Sequence, residues 1–146
     1  MRPFVSARRG VLLLAHGARD PRWAHPFRAV EGRLREAVGD AVVELCFLEF
    51  MTPGIVDAGH SLVASGCSEV DVVPLFLGGG GHVRKDVPAL IAELQRAHPD
   101  VLWRMHPAIG ESAVVIDALA AAAKAQLDRP PPAVDTDNGP EQPPAP

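Results

Sequence analysis

The sequence predicts an α/β fold in which four parallel strands form one sheet with helices on both faces. Short apolar runs alternate four times with longer segments whose apolar residues recur every three or four positions. The clearest of these runs, at residues 10–15 and 70–77, are almost continuously apolar, as expected of parallel strands that are covered on both faces. Strand-helix alternation of this kind also implies right-handed crossovers.

The first half of the chain contains two strands and the helix between them. Residues 10–15 are a continuous apolar run that ends at a histidine and a glycine. Residues 21–38 follow as a helix that Gly39 closes. The apolar residues of this helix share one stripe: Phe27, Val30, Leu34 and Val38. Residues 41–48 form the second strand, and Glu44 within it indicates an edge strand with one partly wet face.

Proline and glycine mark the predicted ends of helices and strands in the middle of the chain. Thr52 and Pro53 predict the start of a second helix, with threonine as N-cap and proline at the first helical position, and Gly66 predicts its end. The third strand, residues 70–77, runs into four glycines at 78–81. Glycine allows free turning of the backbone and close approach of a bulky group. The third helix is expected to begin near residues 86–88.

The last two elements complete one domain. A fourth strand is predicted at residues 101–105, and an alanine-rich helix at 111–127. The residues of this helix that we expect to point inward are Val115, Leu119 and Ala122. We therefore predict a flexible N-terminus at 1–9, an α/β domain at 10–127 and a disordered proline-rich tail at 128–146, which has too few apolar residues to fold.

Composition narrows the classes of function and location. The net charge is −4 and no long Lys/Arg block occurs, so we expect no nucleic-acid partner. No apolar segment reaches the length of a membrane span, and the apolar residues at 11–15 are too few for a signal peptide. Cys46 and Cys67 form no CxxC pair and read as buried thiols. We predict a cytoplasmic protein with no membrane partner.

Three potential metal ligands follow three successive strands. In an open parallel sheet, ligands bind at the carboxyl ends of strands where the winding reverses, and in the flavodoxin-like strand order 2-1-3-4 this lies between the first and third strands. His16 ends the first strand, Glu49 ends the second and His82 follows the third. Two imidazoles and one carboxylate with open positions suit a divalent transition metal such as iron, cobalt or nickel.

Other residues near this edge have weaker or alternative interpretations. Glu49 could equally offset a helix dipole, and for His106 we favour a strand end stopped by proline. The glycine run lacks the Lys-Ser/Thr of a phosphate loop and the GxGxxG fingerprint. The cationic residues expected around the cleft favour an anionic substrate, although each could be a solvated loop charge; they are Arg19, Arg22, Arg84 and Lys85.

Three ordered motifs resemble the short class II chelatases, the CbiX/SirB-like sirohydrochlorin chelatases. The resemblance covers about residues 10–125. Its motifs are LAHGARDP at 14–21, FLE at 47–49 with TPGI at 52–55, and PLFL at 74–77 with GH at 81–82 and DVP at 86–88. It implies a chelatase-like half-lobe that acts as a homodimer and inserts a divalent metal, cobalt or iron, into sirohydrochlorin during cobalamin or sirohaem biosynthesis.

The resemblance also implies roles for residues of this chain. His16, Glu49 and His82 would handle the metal and accept protons from the macrocycle. The glycines at 80 and 81, with the four cationic residues of the rim, would bind a flat tetrapyrrole that carries carboxylates. The metal is then a substrate, and no cofactor is permanently bound. Two alternatives stay open: a metal or tetrapyrrole carrier without catalysis, and a hydrolase or phosphatase that uses His16, although no GxSxG motif supports it.

Overall fold

The computed structural model of the 146-residue chain describes residues 7–78 and 80–134, without the side chains of residues 81–84. It contains one four-stranded sheet with the order β2-β1-β3-β4, and every pairing is parallel, which confirms the predicted α/β fold. The strands are β1 (Arg8–Ala15), β2 (Val42–Phe47), β3 (Cys67–Pro74) and β4 (Leu102–Met105). β2 is therefore an edge strand, as Glu44 indicated.

Four α-helices and two 3₁₀ turns connect or follow the strands. The helices are α1 (His25–Ala37), α2 (Ile55–Ala64), α3 (Gly81–Ala97) and α4 (Ala113–Asp128). The 3₁₀ turns are Pro21–Ala24 and Ile109–Glu111. The first 3₁₀ turn is capped by Asp20, whose carboxylate accepts a 2.9 Å hydrogen bond from the backbone N–H of Arg22.

The apolar core lies in two layers, one on each face of the sheet. On one face, α2 and α3 pack over residues such as Leu12, Leu14 and Val72. On the opposite face, α1 and the 3₁₀ turn before it pack over Val11 and Leu13 of β1 and the inward residues of β2. The central strand β1 is buried from Gly10 to Ala15 because helices cover both of its sides.

The boundaries of two helices differ from those predicted. α2 begins at Ile55 rather than Pro53, because Gly54 still pairs with Phe47 and the Phe47 N–H donates to the Pro53 carbonyl at 3.0 Å. Those residues extend the edge of the sheet instead of starting a helix. α3 begins at Gly81, with Pro88 inside it rather than at its start. Proline has no backbone N–H, so a proline inside a helix leaves one backbone hydrogen bond unmade and lowers the stability of the helix.

Strand boundaries also differ, and the last helix is the largest departure. β1 begins at Arg8, and β3 spans Cys67–Pro74 rather than residues 70–77. No residue of α4 is buried, although Val115, Leu119 and Ala122 were expected to point inward; Val115 is half-buried and the other two are exposed. The prediction of an inward apolar face on this helix is therefore wrong within the single chain. From residue 135 the proline-rich tail lies outside the described residues.

Candidate functional site

A cavity of about 700 Å³ lies at the carboxyl edge of the sheet, beside the ends of β1 and β2 and the beginning of α3. Its described lining is His16, Leu48, Glu49, Gly80, Asp86, Ala89 and Leu90. Two of the three predicted metal-handling residues and one of the predicted substrate-binding glycines thus line one space. Open α/β sheets bind their ligands at this edge.

His16 directly follows β1 and stands exposed at the mouth of the cavity. One side of its imidazole packs on the buried ring of Phe76, with ring centroids 4.4 Å apart and planes tilted by 38°. Phe76 lies just beyond β3 and belongs to the core formed with α2 and α3. The core therefore orients the ring while the ring remains accessible to a ligand.

Backbone hydrogen bonds hold Glu49 beside His16. The Leu48 N–H donates to the Ala15 carbonyl, and the Glu49 N–H donates to the His16 carbonyl, both at 3.0 Å. These bonds continue the β1–β2 ladder past the end of the strands. Gly17 has a φ of 92°, and a Cβ at that position would overlap the carbonyl oxygen of Glu49. Glycine is therefore required there by both conformation and space.

A strained turn follows Glu49 immediately. The Met51 N–H donates to the Glu49 carbonyl at 2.8 Å, which closes a three-residue γ-turn around Phe50. Phe50 has a φ of 64°, a rare conformation for a bulky residue. Phe50 is 57% exposed, and the guanidinium of Arg19 lies 4.7 Å from the centroid of its ring. The turn and the Gly17 contact together fix the backbone from which the Glu49 carboxylate projects.

Asp86 is a cavity residue that the sequence interpretation missed. Because the third helix was predicted to start at residues 86–88, Asp86 was treated as a helix start and residue 82 as part of the loop. In the structure α3 begins at Gly81, so residue 82 lies one turn before Asp86, and positions four apart share a helix face. The spacing His-x-x-x-Asp could have indicated this. The His82 side chain itself lies outside the described part of the chain.

The described residues of the predicted cationic rim lie outside the lining of the cavity. The Arg22 guanidinium donates to both carboxylate oxygens of Asp20, the shortest contact being 2.9 Å. Hydrogen bonds from Arg22 lower the pKa of Asp20, and the same pairing raises the pKa of Arg22. Arg19 packs on Phe50, and Lys85 is exposed. None of these three lines the cavity, and the Arg84 side chain lies outside the described residues.

A second polar cluster is centred on the buried side chain of Asp71. Its carboxylate contacts His106 Nε2 at 2.8 Å and accepts from Arg9 Nε at 2.9 Å. Arg104 lies 3.8 Å away. Burial tends to raise the pKa of Asp71, but hydrogen bonds from His106 and Arg9 outweigh burial and leave this pKa below its usual value. His106 therefore ends β4 as a partner of a buried carboxylate, outside the cavity.

A larger hollow of about 1030 Å³ lies at the opposite edge of the sheet. Arg8, Val42 and Gly66 line it, so it is near the amino ends of the strands. It contains none of the predicted site residues. The smaller cavity at the carboxyl edge is therefore the better candidate, because His16 and Glu49 line it at the position where parallel sheets bind ligands.

The fold and this cavity define an open α/β domain with a cavity at the carboxyl edge of a 2-1-3-4 sheet, lined by a histidine and by carboxylates. The CbiX family model matches residues 10–126, and the chain belongs to the CbiX family.

Individual relatives agree with this assignment. A sirohydrochlorin cobaltochelatase of Priestia megaterium is 36% identical over 101 residues, which are 64% of this chain and 30% of the relative. One from Saccharolobus solfataricus is 37% identical over 84 residues, 56% of this chain and 62% of the relative. The chain thus matches less than two thirds of either relative. A CbiX protein of cobalamin biosynthesis from Marinobacter aquaeolei VT8 superposes with a TM-score of 0.73 at 32% identity, covering 84% of this chain and 99% of that one.

Three further observations concern the described part of the chain. Among the described side chains, no three metal-ligating groups come together, so the predicted trio of His16, Glu49 and His82 stays a prediction. Cys46 and Cys67 are both buried and free, as predicted. In the described part of the chain, no helix is both long and apolar enough to cross a membrane.

Proposed function

We propose that this chain is a sirohydrochlorin chelatase, which inserts a divalent metal, cobalt first and iron second, into the macrocycle. The observation that carries the proposal is the cavity in which His16 and Glu49 meet at the carboxyl edge of a CbiX-family domain. The names of the relatives support both the macrocycle and the metal. The order of affinities for divalent metals is set mainly by the metal ions and not by the site. The choice of metal therefore depends on metal supply and on the geometry of the site.

The residues of the cavity suit the two tasks of metal insertion. A neutral imidazole and a carboxylate bind a divalent metal, and the same groups accept the two pyrrole N–H protons that leave as the metal enters. We assign metal delivery to His16 and to His82 from the first turn of α3, with Glu49 as the adjacent carboxylate. Asp86 adds a second carboxylate on the lining, which favours the capture of a dication.

The shape of the cavity supports a flat, anionic substrate. Its volume of about 700 Å³ falls within the range of about 300–1,000 Å³ for small-molecule pockets. Gly80 lines it without a side chain, and Gly81 begins α3 next to it, which leaves room for a macrocycle face. We assign the peripheral carboxylates of the substrate to three cations of the predicted rim, Arg19, Arg84 and Lys85, because Arg22 is already paired to Asp20.

The setting of the reaction follows from the same proposal. The product belongs to cobalamin synthesis if the metal is cobalt and to sirohaem synthesis if it is iron. Two free, buried thiols are what a reducing compartment maintains, and they support a cytoplasmic location. We further propose that the active form is a homodimer, because one chain leaves a helix without a buried face.

The test is metallation followed by absorbance, with metal-free sirohydrochlorin and Co²⁺, Fe²⁺ or Ni²⁺ supplied in turn. Replacing a residue that moves protons or holds the metal should lower turnover by about 10²–10⁴-fold, the usual contribution of a positioned acid or base. The variants are His16→Ala, Glu49→Gln and His82→Ala. Matched controls on α1 are His25→Ala and Glu36→Gln, both exposed and not part of the cavity lining, which should keep full turnover.

The rival function is a carrier that holds metal or tetrapyrrole without catalysis. It predicts that both bind, each causing its own spectral change, while no metallated product forms above the uncatalysed rate. That result would overturn the chelatase proposal. Full turnover by all three site variants would instead show that the reaction occurs elsewhere on the molecule.

A further inference from the structure

Two histidines meet on the surface between α2 and α3. The Nδ1 atom of His60 lies 2.7 Å from the Nε2 atom of His98, and the ring centroids are 4.9 Å apart. The ring planes cross at 71°, so the rings meet at an edge, with one nitrogen of each facing the other. His60 is exposed and His98 is half-buried, so solvent reaches the pair. The proposed metallation reaction gives these two side chains no role.

The packing of α2 on α3 brings the two imidazoles together. Gly59 precedes His60, and a Cβ at Gly59 would lie 2.5 Å from Leu94 Cδ1, so the two helices are in close contact at this point. His98 follows one turn after Leu94, and its N–H donates to the Leu94 carbonyl at 2.9 Å. The carbonyl of His98 accepts from the Val101 N–H at 3.1 Å. The backbone on both sides of the pair is therefore held in place.

The pair is separate from the cavity at the carboxyl edge of the sheet. Neither histidine lines that cavity, and the last residue of α3 on its lining is Leu90. His98 caps the far end of α3, about 12 Å along the helix axis from Leu90 at roughly 1.5 Å per residue. An ion held by the pair would therefore occupy a different place from the ion assigned to His16 and Glu49.

Two neighbouring imidazoles favour a divalent transition metal. A neutral imidazole donates from one nitrogen and accepts at the other, so one of the two facing nitrogens carries the proton of the 2.7 Å hydrogen bond. When that proton is lost to water and another is taken up at the far nitrogen of the same ring, both facing nitrogens present a lone pair and the net charge is unchanged. Imidazole suits zinc, copper, iron and nickel, whereas Mg²⁺ and Ca²⁺ prefer oxygen ligands.

The distance between the facing nitrogens fits a shared ion after a small movement. Metal–imidazole bonds are about 2.0–2.1 Å long, so two that meet at about 90–110° place their nitrogens roughly 2.9–3.4 Å apart. The pair must therefore open by a few tenths of an ångström, and each ring must turn toward the ion. Among the described side chains no third metal-ligating group joins the pair, so water completes the coordination and the ion exchanges with solvent.

The other close histidine contact at the surface is less suited to a dication. His106 Nε2 lies 2.8 Å from the Asp71 carboxylate, but this carboxylate also accepts from Arg9, and Arg104 lies 3.8 Å from it. The two guanidinium groups repel a second cation and already occupy the carboxylate oxygens. The contact between α2 and α3 is therefore the better candidate for a metal outside the cavity.

We propose that His60 and His98 form a second metal site, which binds one divalent transition-metal ion and ties α2 to α3. The ion belongs to the class of metals that the proposed reaction consumes, so the metal substrate also stabilises the fold. An ion that binds only the folded pair lowers the unfolding equilibrium constant by the factor 1 + [M]/Kd, which is about 100-fold when the free metal is at about 100 times Kd. This proposal does not depend on metallation, and its test uses a protein without the cavity imidazoles.

The first measurement is a calorimetric titration of Ni²⁺ into the untagged full chain carrying His16→Ala and His82→Ala. One Ni²⁺ per chain should bind to this background protein, and roughly a 100-fold excess of Mg²⁺ should not displace it. Adding His98→Gln should weaken binding by about 10-fold or more, because glutamine keeps a hydrogen-bonding group beside His60 but is a poor nickel ligand. The matched control, His25→Gln, removes an exposed histidine of α1 and should bind Ni²⁺ like the background protein.

The second measurement, urea unfolding, shows whether the ion joins the two helices. With free Ni²⁺ at about 100 times the measured Kd, the unfolding equilibrium constant of the background protein should fall about 100-fold, and that of the His98→Gln protein should not change. Unfolding without metal checks that every variant is folded.

The outcomes separate the site from its effect on the fold. No Ni²⁺ binding by the background protein, binding that survives either His98→Gln or His60→Gln, or binding that His25→Gln also removes would overturn the site. Binding that requires both histidines but leaves unfolding unchanged would overturn the tie between α2 and α3. None of these results bears on metallation, which the assay of the cavity variants decides.

Discussion

Gly17→Ala tests whether the backbone contact between β1 and the segment after β2 positions the site. Gly17 has a φ of 92°, which costs alanine about 1–2 kcal/mol. Its new Cβ would also overlap the Glu49 carbonyl, so the Glu49 segment must move and lose the 3.0 Å hydrogen bond from Glu49 to His16. That bond contributes about 1 kcal/mol, so we expect about 2–3 kcal/mol of destabilisation in total.

The effect on turnover should exceed the effect on stability. Displacing the Glu49 backbone moves a cavity carboxylate, and a misplacement of about 1 Å costs roughly 100-fold in rate. Urea unfolding gives the change in free energy, and the metallation assay gives the rate under conditions where both proteins are folded.

Gly66→Ala is the matched control. Gly66 has a similar φ of 87°, but a Cβ there would meet nothing within 4 Å. This variant should lose about 1–2 kcal/mol for conformation alone and keep full turnover. If Gly17→Ala is no less stable than Gly66→Ala and metallates at the wild-type rate, the close contact does not position Glu49 and the reasoning fails.

Three further predictions follow from the packing. Asp71→Asn should destabilise the protein by about 1.5–3 kcal/mol at pH 7, because the hydrogen bonds from its cationic partners weaken. The pKa of Asp71 is lower in the folded protein than in the unfolded chain, so its carboxylate stabilises the fold above the unfolded pKa and loses that contribution as pH falls through the folded pKa. The difference in unfolding free energy between variant and wild type, measured in urea, should therefore persist at neutral pH and vanish in strong acid. Burial raises the pKa of Cys46 to about 12, so this thiol should react with an alkylating reagent only after unfolding, and rapid reaction in the native protein would contradict its burial. Gly59→Ala should destabilise the α2–α3 packing, because the new Cβ would approach Leu94 Cδ1 to 2.5 Å; the double variant with Leu94→Ala should lose less stability than the sum of the two single variants.

The sheet was predictable because its signal is local. The apolar residues at 10–15 match a strand buried on both faces, and alternation with helices determines parallel pairing. Helix starts were less predictable. Pro53 predicted a first helical position and Pro88 belonged to a predicted helix start, yet Pro53 lies beside β2 and Pro88 lies inside α3. At Pro53, contacts with the end of β2 outweighed the local preference of proline.

The site was predictable to the extent that it follows from the strand order. His16 and Glu49 meet because parallel strands end at the same edge, a consequence of topology. Asp86 could not be assigned until the true start of α3 was known. The γ-turn at Phe50 carries no sequence signal, because its conformation arises from contacts of Glu49 with both neighbouring segments. The exposure of α4 was missed because an apolar pattern predicts a helix with an inward face but does not show which surface covers that face.

The close contact of Gly110 with the segment after β3 has a thermodynamic consequence. Gly110 precedes α4 and donates a hydrogen bond to the carbonyl of Phe76, and the ring of Phe76 contacts the imidazole of His16. Coupling between two binding events is reciprocal, so if association of two chains tightens the cavity around a tetrapyrrole, the tetrapyrrole strengthens association by the same factor. The dimer dissociation constant should then depend on substrate concentration, and in dilute solution the macrocycle would help to assemble the protein that metallates it.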